Sequence, residues 1–219
     1  MATIDQALLD RTKFLGSQFD AMVLKLAGPP LDLRVFFTLA HGFITKKIAQ
    51  HIDLFSNPSA LMRLNDCFAT TYLTAINGSP HNDWEKAFRI CKSEQNAMRS
   101  GFVGFIFLAP GAFESCGACM ANVHIKRDLR DALKKVSDVD PQDYGNILIF
   151  VTRGNLYAEV KIRGVGKGAL MVMTSLAFVK ALNLDVKAWR NQVFQDCYGM
   201  PVPDPAEAFV TEINRREGT

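Results

Sequence analysis

The sequence has no strong excess of either charge and no apolar run long enough to cross a membrane. Its formal net charge is only +3, and it contains no basic block with interleaved aromatic residues, which argues against a nucleic-acid partner. The longest apolar run, residues 101–113, is too short to span a bilayer and is interrupted by Pro110. Acidic residues stand near the N-terminus, where a signal peptide would be basic and then apolar. These absences predict a cytoplasmic protein with neither a nucleic-acid nor a membrane partner.

The motifs of nucleotide and zinc enzymes are also missing. Three glycines lie within residues 164–168, but neither GxxxxGK[ST] nor GxGxxG occurs, so the common nucleotide-binding loops are excluded. No HExxH motif occurs, and Cys67, Cys91 and Cys197 each stand alone, so a cysteine zinc site would lack its second pair. The sequence therefore predicts no cofactor.

Cysteine is scarce and odd in number. Five cysteines in 219 residues favour reduced thiols over a disulfide framework. Cys116 and Cys119 form a CxxC pair, which in a redox protein follows a strand and opens a helix, and residues 105–108 could supply that strand. Small residues that let two helices approach closely are the favoured interpretation. A thiol redox protein is kept as the third functional hypothesis.

Apolar residues recur at helical spacing over most of the chain. This periodicity predicts an all-α fold, a helical bundle formed by a single domain of residues 1–219. The polar residues 92–100 are expected to form a loop. The predicted helices cover residues 4–27, 31–55, 58–76, 83–91, 112–136, 169–182, 186–198 and 206–216.

Two stretches are ambiguous. Residues 101–111 are continuously apolar but interrupted by glycines, which fits a buried irregular segment or a short strand. Residues 147–162 contain ILIFV, TRGN and LYAEVKI, which fit two β-branched strands around a turn or, equally, a buried helix. A small β-hairpin near residues 147–162 therefore stays open. Three prolines within residues 201–205 predict an extended connector.

His124 and Asp128 are the one local arrangement typical of chemistry. On a helix the two side chains lie on the same side, at the shoulder of the apolar stripe. A carboxylate that holds one imidazole nitrogen raises the basicity of the other, which predicts a general acid/base. The same pair could supply two metal ligands, with His41, His51 or Glu114 completing the set. An ordinary i to i+4 hydrogen bond is the competing structural interpretation.

A longer pattern surrounds this pair. Residues 63–76, RLNDCFATTYLTAI, are followed by Pro80 and Trp84, and residues 122–129 read NVHIKRDL. Over residues 31–137 the chain resembles an uncharacterised, mainly helical family of bacterial and fungal proteins known as a domain of unknown function. The family carries Arg-Leu-Asp, Phe-Ala, Tyr-Leu, Pro and Trp, and later a motif close to Asn-Ala-His-Ile-Asn-x-Asp-Leu.

The chain departs from that family at several positions. Asn65 stands where the family has an acidic residue, Lys126 replaces the second asparagine of its later motif, and residues 101–115 look inserted. The resemblance implies an all-helical fold and a common role for His124 and Asp128. It implies no known reaction.

These patterns lead to a functional hypothesis. We expect an apolar pocket, lined partly by some of the sixteen phenylalanines, in a cofactor-independent isomerase, cyclase or lyase acting on a hydrophobic small molecule. His124 would be the acid/base, Asp128 would orient it, and Asn122 or Tyr72 would donate a hydrogen bond. The expected substrate-binding residues are His41, Tyr72, Arg63, Phe37 and Met120.

Each of these expectations has a competing one. His41 also fits a satisfied core histidine, and Arg63 with Asp66 also fits an i to i+3 surface ion pair. A non-catalytic ligand-binding or interaction protein is the alternative function. A homodimer is compatible with the sequence but not required by it.

Overall fold

The chain folds into α-helices, and the part that the structure describes contains no β-strand. This computed structural model describes residues 3–28, 32–99, 115–165 and 176–218. The predicted all-α fold is confirmed. The helices are α1 (Gln6–Leu26), α2 (Val35–Gln50), α3 (Pro58–Ile76), α4 (Asn82–Arg99), α5 (residues 115–135), α6 (Pro141–Asn146), α7 (Leu148–Val165), α8 (Leu176–Tyr198) and α9 (Glu207–Glu217).

Several helices begin where a short polar side chain can satisfy a free backbone N–H. The Asp5 carboxylate accepts from the Leu8 N–H at 3.2 Å, and the Asn57 side chain accepts from the Ala60 N–H at 3.2 Å. Asp140 caps α6 in the same way. Helices α3 and α6 each begin with proline, and its missing N–H removes no helical hydrogen bond at the first position of a helix.

Helix α2 lies between α1 and α7, and glycines permit both close approaches. A Cβ atom on Gly42 of α2 would lie 2.7 Å from the Cβ of Phe19 on α1. A Cβ atom on Gly154 of α7 would lie 3.0 Å from the carbonyl oxygen of Ala40 on α2. Neighbouring helices thus approach α2 closely at these two positions, and its buried face is held between them.

Of the two alternatives left open for residues 147–162, the buried helix is confirmed and the β-hairpin is wrong, because residues 148–165 form helix α7. The β-branched residues favoured strands locally, but Phe150, Val151 and Ala158 are buried at helical spacing. Packing against α2 therefore decides the structure over the local β propensity. Residues 201–206 have no regular secondary structure, as a connector requires, and the extended conformation expected for residues 201–205 stays a prediction.

Two helix boundaries were also predicted incorrectly. Helix α4 runs to Arg99, so the described residues 92–99 are helical and not a loop. Lys92, Glu94 and Gln95 are polar but are good helix formers, and polarity alone suggested the loop. The two helices expected around residues 183–185 are one continuous helix, α8.

A disulfide joins α4 to α5, contrary to the expectation of reduced thiols. Cys91 and Cys116 are bonded, with their Cα atoms 4.8 Å apart. Cys119, the second cysteine of the CxxC pair, is a free and half-buried thiol whose pKa is raised by burial. The CxxC sequence does not pair with itself because helix packing brings Cys91 to Cys116.

Some sequence expectations fall outside the residues that the structure describes. They concern the apolar segment 101–111, the strand at residues 105–108, Glu114, and the glycines at positions 166 and 168. Among the described helices, none combines the length and apolar character needed to cross a membrane.

Candidate active site

A cavity of about 70 Å³ lies among helices α2, α3, α5, α7 and α8. That volume is several times the roughly 10–15 Å³ that one water molecule needs by a comparable measure. The described lining is mostly aliphatic and aromatic, and Phe36, Phe37 and Phe68 belong to it. The polar lining side chains are His41, Asn65, His124, Asn155 and Arg190.

His124 enters this cavity from a distorted part of α5. Residues His124–Leu129 form a π-helical turn between the α-helical residues 115–123 and Arg130–Lys135. The turn packs against α3 and α8, and both His124 and Asp128 are buried. A π turn inside an α-helix changes the direction in which side chains project and occurs often at functional sites. The expected shoulder position is therefore wrong, since both side chains face the core.

The Asp128 carboxylate is the centre of a buried hydrogen-bond network. Its side chain is 1% exposed, and its Oδ2 accepts from the Trp84 indole Nε1–H at 3.0 Å. The Nδ1 of His124 lies 2.9 Å from the same oxygen, and the Nε2 of His81 lies 3.3 Å from Oδ1. A buried carboxylate needs such partners to remain in the protein interior.

This network determines which His124 nitrogen is basic. With Nδ1–H donating to Asp128, Nε2 carries the lone pair of the neutral imidazole. Nε2 is buried and has no hydrogen-bond partner among the described residues. Burial lowers the pKa of His124 below its usual 6.5, against the opposing effect of Asp128. His124 is thus a neutral, oriented base at neutral pH.

His41 lies beside His124 at the cavity wall. The centroids of the two imidazole rings are 4.6 Å apart. The Phe68 ring stacks on His124, with 3.4 Å between the two ring centroids. The Nδ1 of His41 is buried and has no partner in the described part of the chain. Burial, with smaller contributions from His124 and Arg190, lowers the pKa of His41 well below 6.5. Two neutral imidazoles therefore face one cavity.

The structure brings together three of the eight site residues expected from the sequence. His124, His41 and Phe37 all line the cavity, and Asp128 stands directly behind His124. Tyr72 lies in a second layer, where its hydroxyl and that of Thr38 share a 2.7 Å hydrogen bond. Burial raises the pKa of Tyr72, so this phenol stays neutral.

The other expected residues are not in the described lining. Arg63 pairs with Asp138 at the protein surface, its guanidinium Nη2 2.6 Å from the carboxylate. Met120 is fully buried, and Asn122 is half-buried, but neither contacts the cavity. Their predicted roles in substrate binding and catalysis remain predictions without support from their positions.

Sequence reasoning missed the role of Arg190 and the bonds that Trp84 and His81 make to Asp128. Arg190 lies four residues after Val186 and three before Val193, and all three side chains are buried on one face of α8. A charged residue on an apolar helical face is the signal that the sequence contained. The contact between Trp84 and Asp128 spans 44 residues and left no local signal.

The described residues contain no group of three or more His, Cys, Asp or Glu side chains arranged to hold a metal ion. His51, one of the alternative ligands, is directed elsewhere, with its Nε2 3.0 Å from Glu217. Glu114 lies outside the described residues.

Comparison with known proteins finds no matching family model, no matching curated protein and no matching solved structure. The resemblance to the uncharacterised helical family therefore rests on the motif alone and stays a prediction.

Proposed function

We propose that this protein is a cofactor-independent enzyme that moves a proton on a small, largely hydrocarbon molecule, in the manner of an isomerase, cyclase or lyase. The observation that carries the proposal is Nε2 of His124, which is buried, has no hydrogen-bond partner among the described residues and belongs to a residue that lines the cavity. The competing structural interpretation needs only the bond from Nδ1 to Asp128, and it gives no reason for an Nε2 that the described residues leave without a partner.

The arrangement supplies a base and a means of stabilising its conjugate acid. When Nε2 accepts a proton from a substrate carbon, the imidazole becomes a cation whose Nδ1–H already donates to the Asp128 carboxylate. Trp84 and His81 hold that carboxylate in place. Return of this proton to another carbon gives isomerisation. In an elimination, the electron pair of the broken C–H bond forms a double bond and expels the leaving group, which takes the proton from Nε2.

The cavity wall favours a substrate that is mostly apolar. Aromatic and aliphatic side chains exclude water from His124, which strengthens its interaction with Asp128. His41 offers a second imidazole close to the first, so one ring could remove a proton while the other returns it. Binding a substrate in a reactive conformation would add to the rate.

Proton transfer from carbon can be detected without knowing the product. The wild-type protein is incubated in D₂O with a library of small molecules. Each molecule carries one C–H bond that a neighbouring electron-withdrawing group makes acidic, and deuterium incorporation is followed by NMR. We expect exchange on a subset of small, apolar members. His124→Gln should slow that exchange by about 10²-fold or more, the range that general base catalysis contributes.

Cys119→Ala is the matched control, since this free thiol lies on the same helix outside the described cavity lining. It should exchange deuterium at the wild-type rate. Exchange that depends on Cys119 and not on His124 would favour thiol chemistry instead. Binding without exchange by the wild-type protein would overturn the proposal in favour of a non-catalytic ligand-binding protein.

A further inference from the structure

Arg190 is a buried cation for which the described structure provides no counter-ion. It is 5% exposed and lines the cavity that contains His41 and His124. Its Nε has no hydrogen-bond partner, and no carboxylate in the described part of the chain lies within ion-pair distance of its guanidinium. A buried charge without a partner is strongly unfavourable, so a bound anion would supply what the protein lacks.

Neither Tyr144, which contacts Arg190, nor the carboxylates of Asp128 and Asp196 neutralise its charge. The guanidinium carbon lies 4.5 Å from the centroid of the Tyr144 ring. Burial raises the pKa of Tyr144 to about 12, so this residue contacts Arg190 as a neutral phenol. Asp128 is bonded to His124 and Trp84, and Asp196 is bonded to Arg130. The positive charge is thus left facing an apolar cavity.

A second unpartnered donor lines the same cavity. The side-chain oxygen of Asn65 accepts from the Thr45 hydroxyl at 3.2 Å, while its Nδ2 is a buried donor for which the described residues offer no partner. No Asp or Glu belongs to the described lining, so Arg190 is the only lining residue there with a full charge at neutral pH. The polar groups of the cavity lining are therefore suited to an acceptor with negative charge.

We propose that Arg190 and Asn65 form an anion subsite and that the molecule bound in this cavity is a short-chain carboxylate. Its carboxylate would pair with the Arg190 guanidinium, and its hydrocarbon part would contact Phe36, Phe37 and Phe68. A single planar cation fits a carboxylate, whereas a phosphate group would require more donors. The cavity volume limits the ligand to a few non-hydrogen atoms beyond the carboxylate. This inference rests on the proposed function, because it names the substrate class for the same cavity.

The test compares carboxylates with neutral analogues of the same shape. Butyrate, isovalerate and hexanoate, their amides, and inorganic phosphate are titrated into the wild-type protein, and binding is followed by NMR. At least one carboxylate should bind and its amide should bind about 10- to 100-fold more weakly, the range that charge-assisted hydrogen bonds contribute. Arg190→Met should weaken the carboxylate by a similar factor and leave the amide unchanged.

Lys187→Met is the control variant, because Lys187 is a partly exposed cation one turn earlier on α8 that pairs with Asp204. It should bind the carboxylate as the wild type does. Equal binding of acid and amide, binding of phosphate in preference to every carboxylate, or no binding of any carboxylate would overturn the inference. The stability of Arg190→Met is measured in parallel. If that variant does not fold, Arg190→Lys replaces it in the titrations, because lysine keeps the charge but lacks the planar guanidinium. These measurements need no turnover, so their failure is distinct from a failure of the deuterium exchange experiment.

Discussion

At the residue scale, the cavity is defined by polar groups that the core does not satisfy. His41 Nδ1, His124 Nε2, Asn65 Nδ2 and Arg190 Nε are all buried without partners among the described residues. Each such group costs roughly 1–3 kcal/mol relative to a satisfied one. Four of them around one cavity indicate a site where stability is given up for binding or chemistry.

The two cavity histidines predict how stability depends on pH. Burial lowers the folded-state pKa of His41 well below 6.5, so the unfolded chain binds a proton there that the folded chain does not. Stability from this residue is fully present above pH 6.5 and is lost as the pH falls. Lowering the pH from 6.5 to about 5.5 should reduce the free energy of unfolding, measured by urea titration, in the wild-type protein. In His41→Leu that reduction should be smaller than in the wild type by about 1 kcal/mol.

Asn65→Leu provides the control for that experiment, because it replaces a polar cavity residue that does not titrate. Whatever its stability relative to the wild type at a given pH, the slope of that stability against pH should equal the wild-type slope. A His41→Leu protein with the wild-type slope would contradict the lowered pKa of His41.

At the element scale, helix α2 is placed by close contacts on two sides. Gly42 lets α1 approach, and Gly154 lets α7 approach, so the α2 side chains His41 and Phe37 are held at the cavity wall. The π turn in α5 then directs His124 towards them. The periodicity of the sequence predicted these helices, but a π turn and an interhelical distance depend on partners elsewhere in the chain.

Gly42→Ala tests the close contact between α1 and α2. The added Cβ would lie 2.7 Å from the Phe19 Cβ, and overpacking of this kind costs about 1–3 kcal/mol. Alanine recovers about 1 kcal/mol through its higher helix propensity. The free energy of unfolding, measured by urea titration, should therefore fall by up to about 2 kcal/mol.

Gly28→Ala is the matched comparison, since its added Cβ would have its nearest neighbour at an ordinary 3.8 Å. It should be neutral or stabilising by about 0.4–1 kcal/mol, because alanine restricts the unfolded chain. A Gly42→Ala protein as stable as Gly28→Ala would show that α1 and α2 are not in close contact there.

At the scale of the whole molecule, the site joins residues that are far apart in the sequence. Its lining side chains run from Phe36 to Arg190 and come from five helices. Other long-range bonds hold these helices together. The Asp143 carboxylate accepts from the backbone N–H groups of Ser56 and Asn57, and Glu217 of α9 pairs with Lys47.

The sequence predicted the helical class and the His124–Asp128 pair, because both depend on residues within one or two helical turns. It could not show that Trp84 and Arg190 approach the pair, since such contacts follow from tertiary packing. The disulfide was missed for the same reason: Cys91 and Cys116 are separated by 25 residues and look unrelated in sequence. The odd number of cysteines instead predicted reduced thiols.

The central claim is that His124 is a neutral base whose free nitrogen lies at the cavity. It is tested most directly by ¹⁵N NMR of the imidazole side chains in the resting protein, with Asp128→Asn as the comparison. The account predicts a proton on Nδ1 of His124, an unprotonated Nε2 at neutral pH, and a titration midpoint below 6.5. In Asp128→Asn the preference for the Nδ1–H tautomer should weaken. A resting His124 that carries its proton on Nε2, or that is already a cation at neutral pH, would contradict the account.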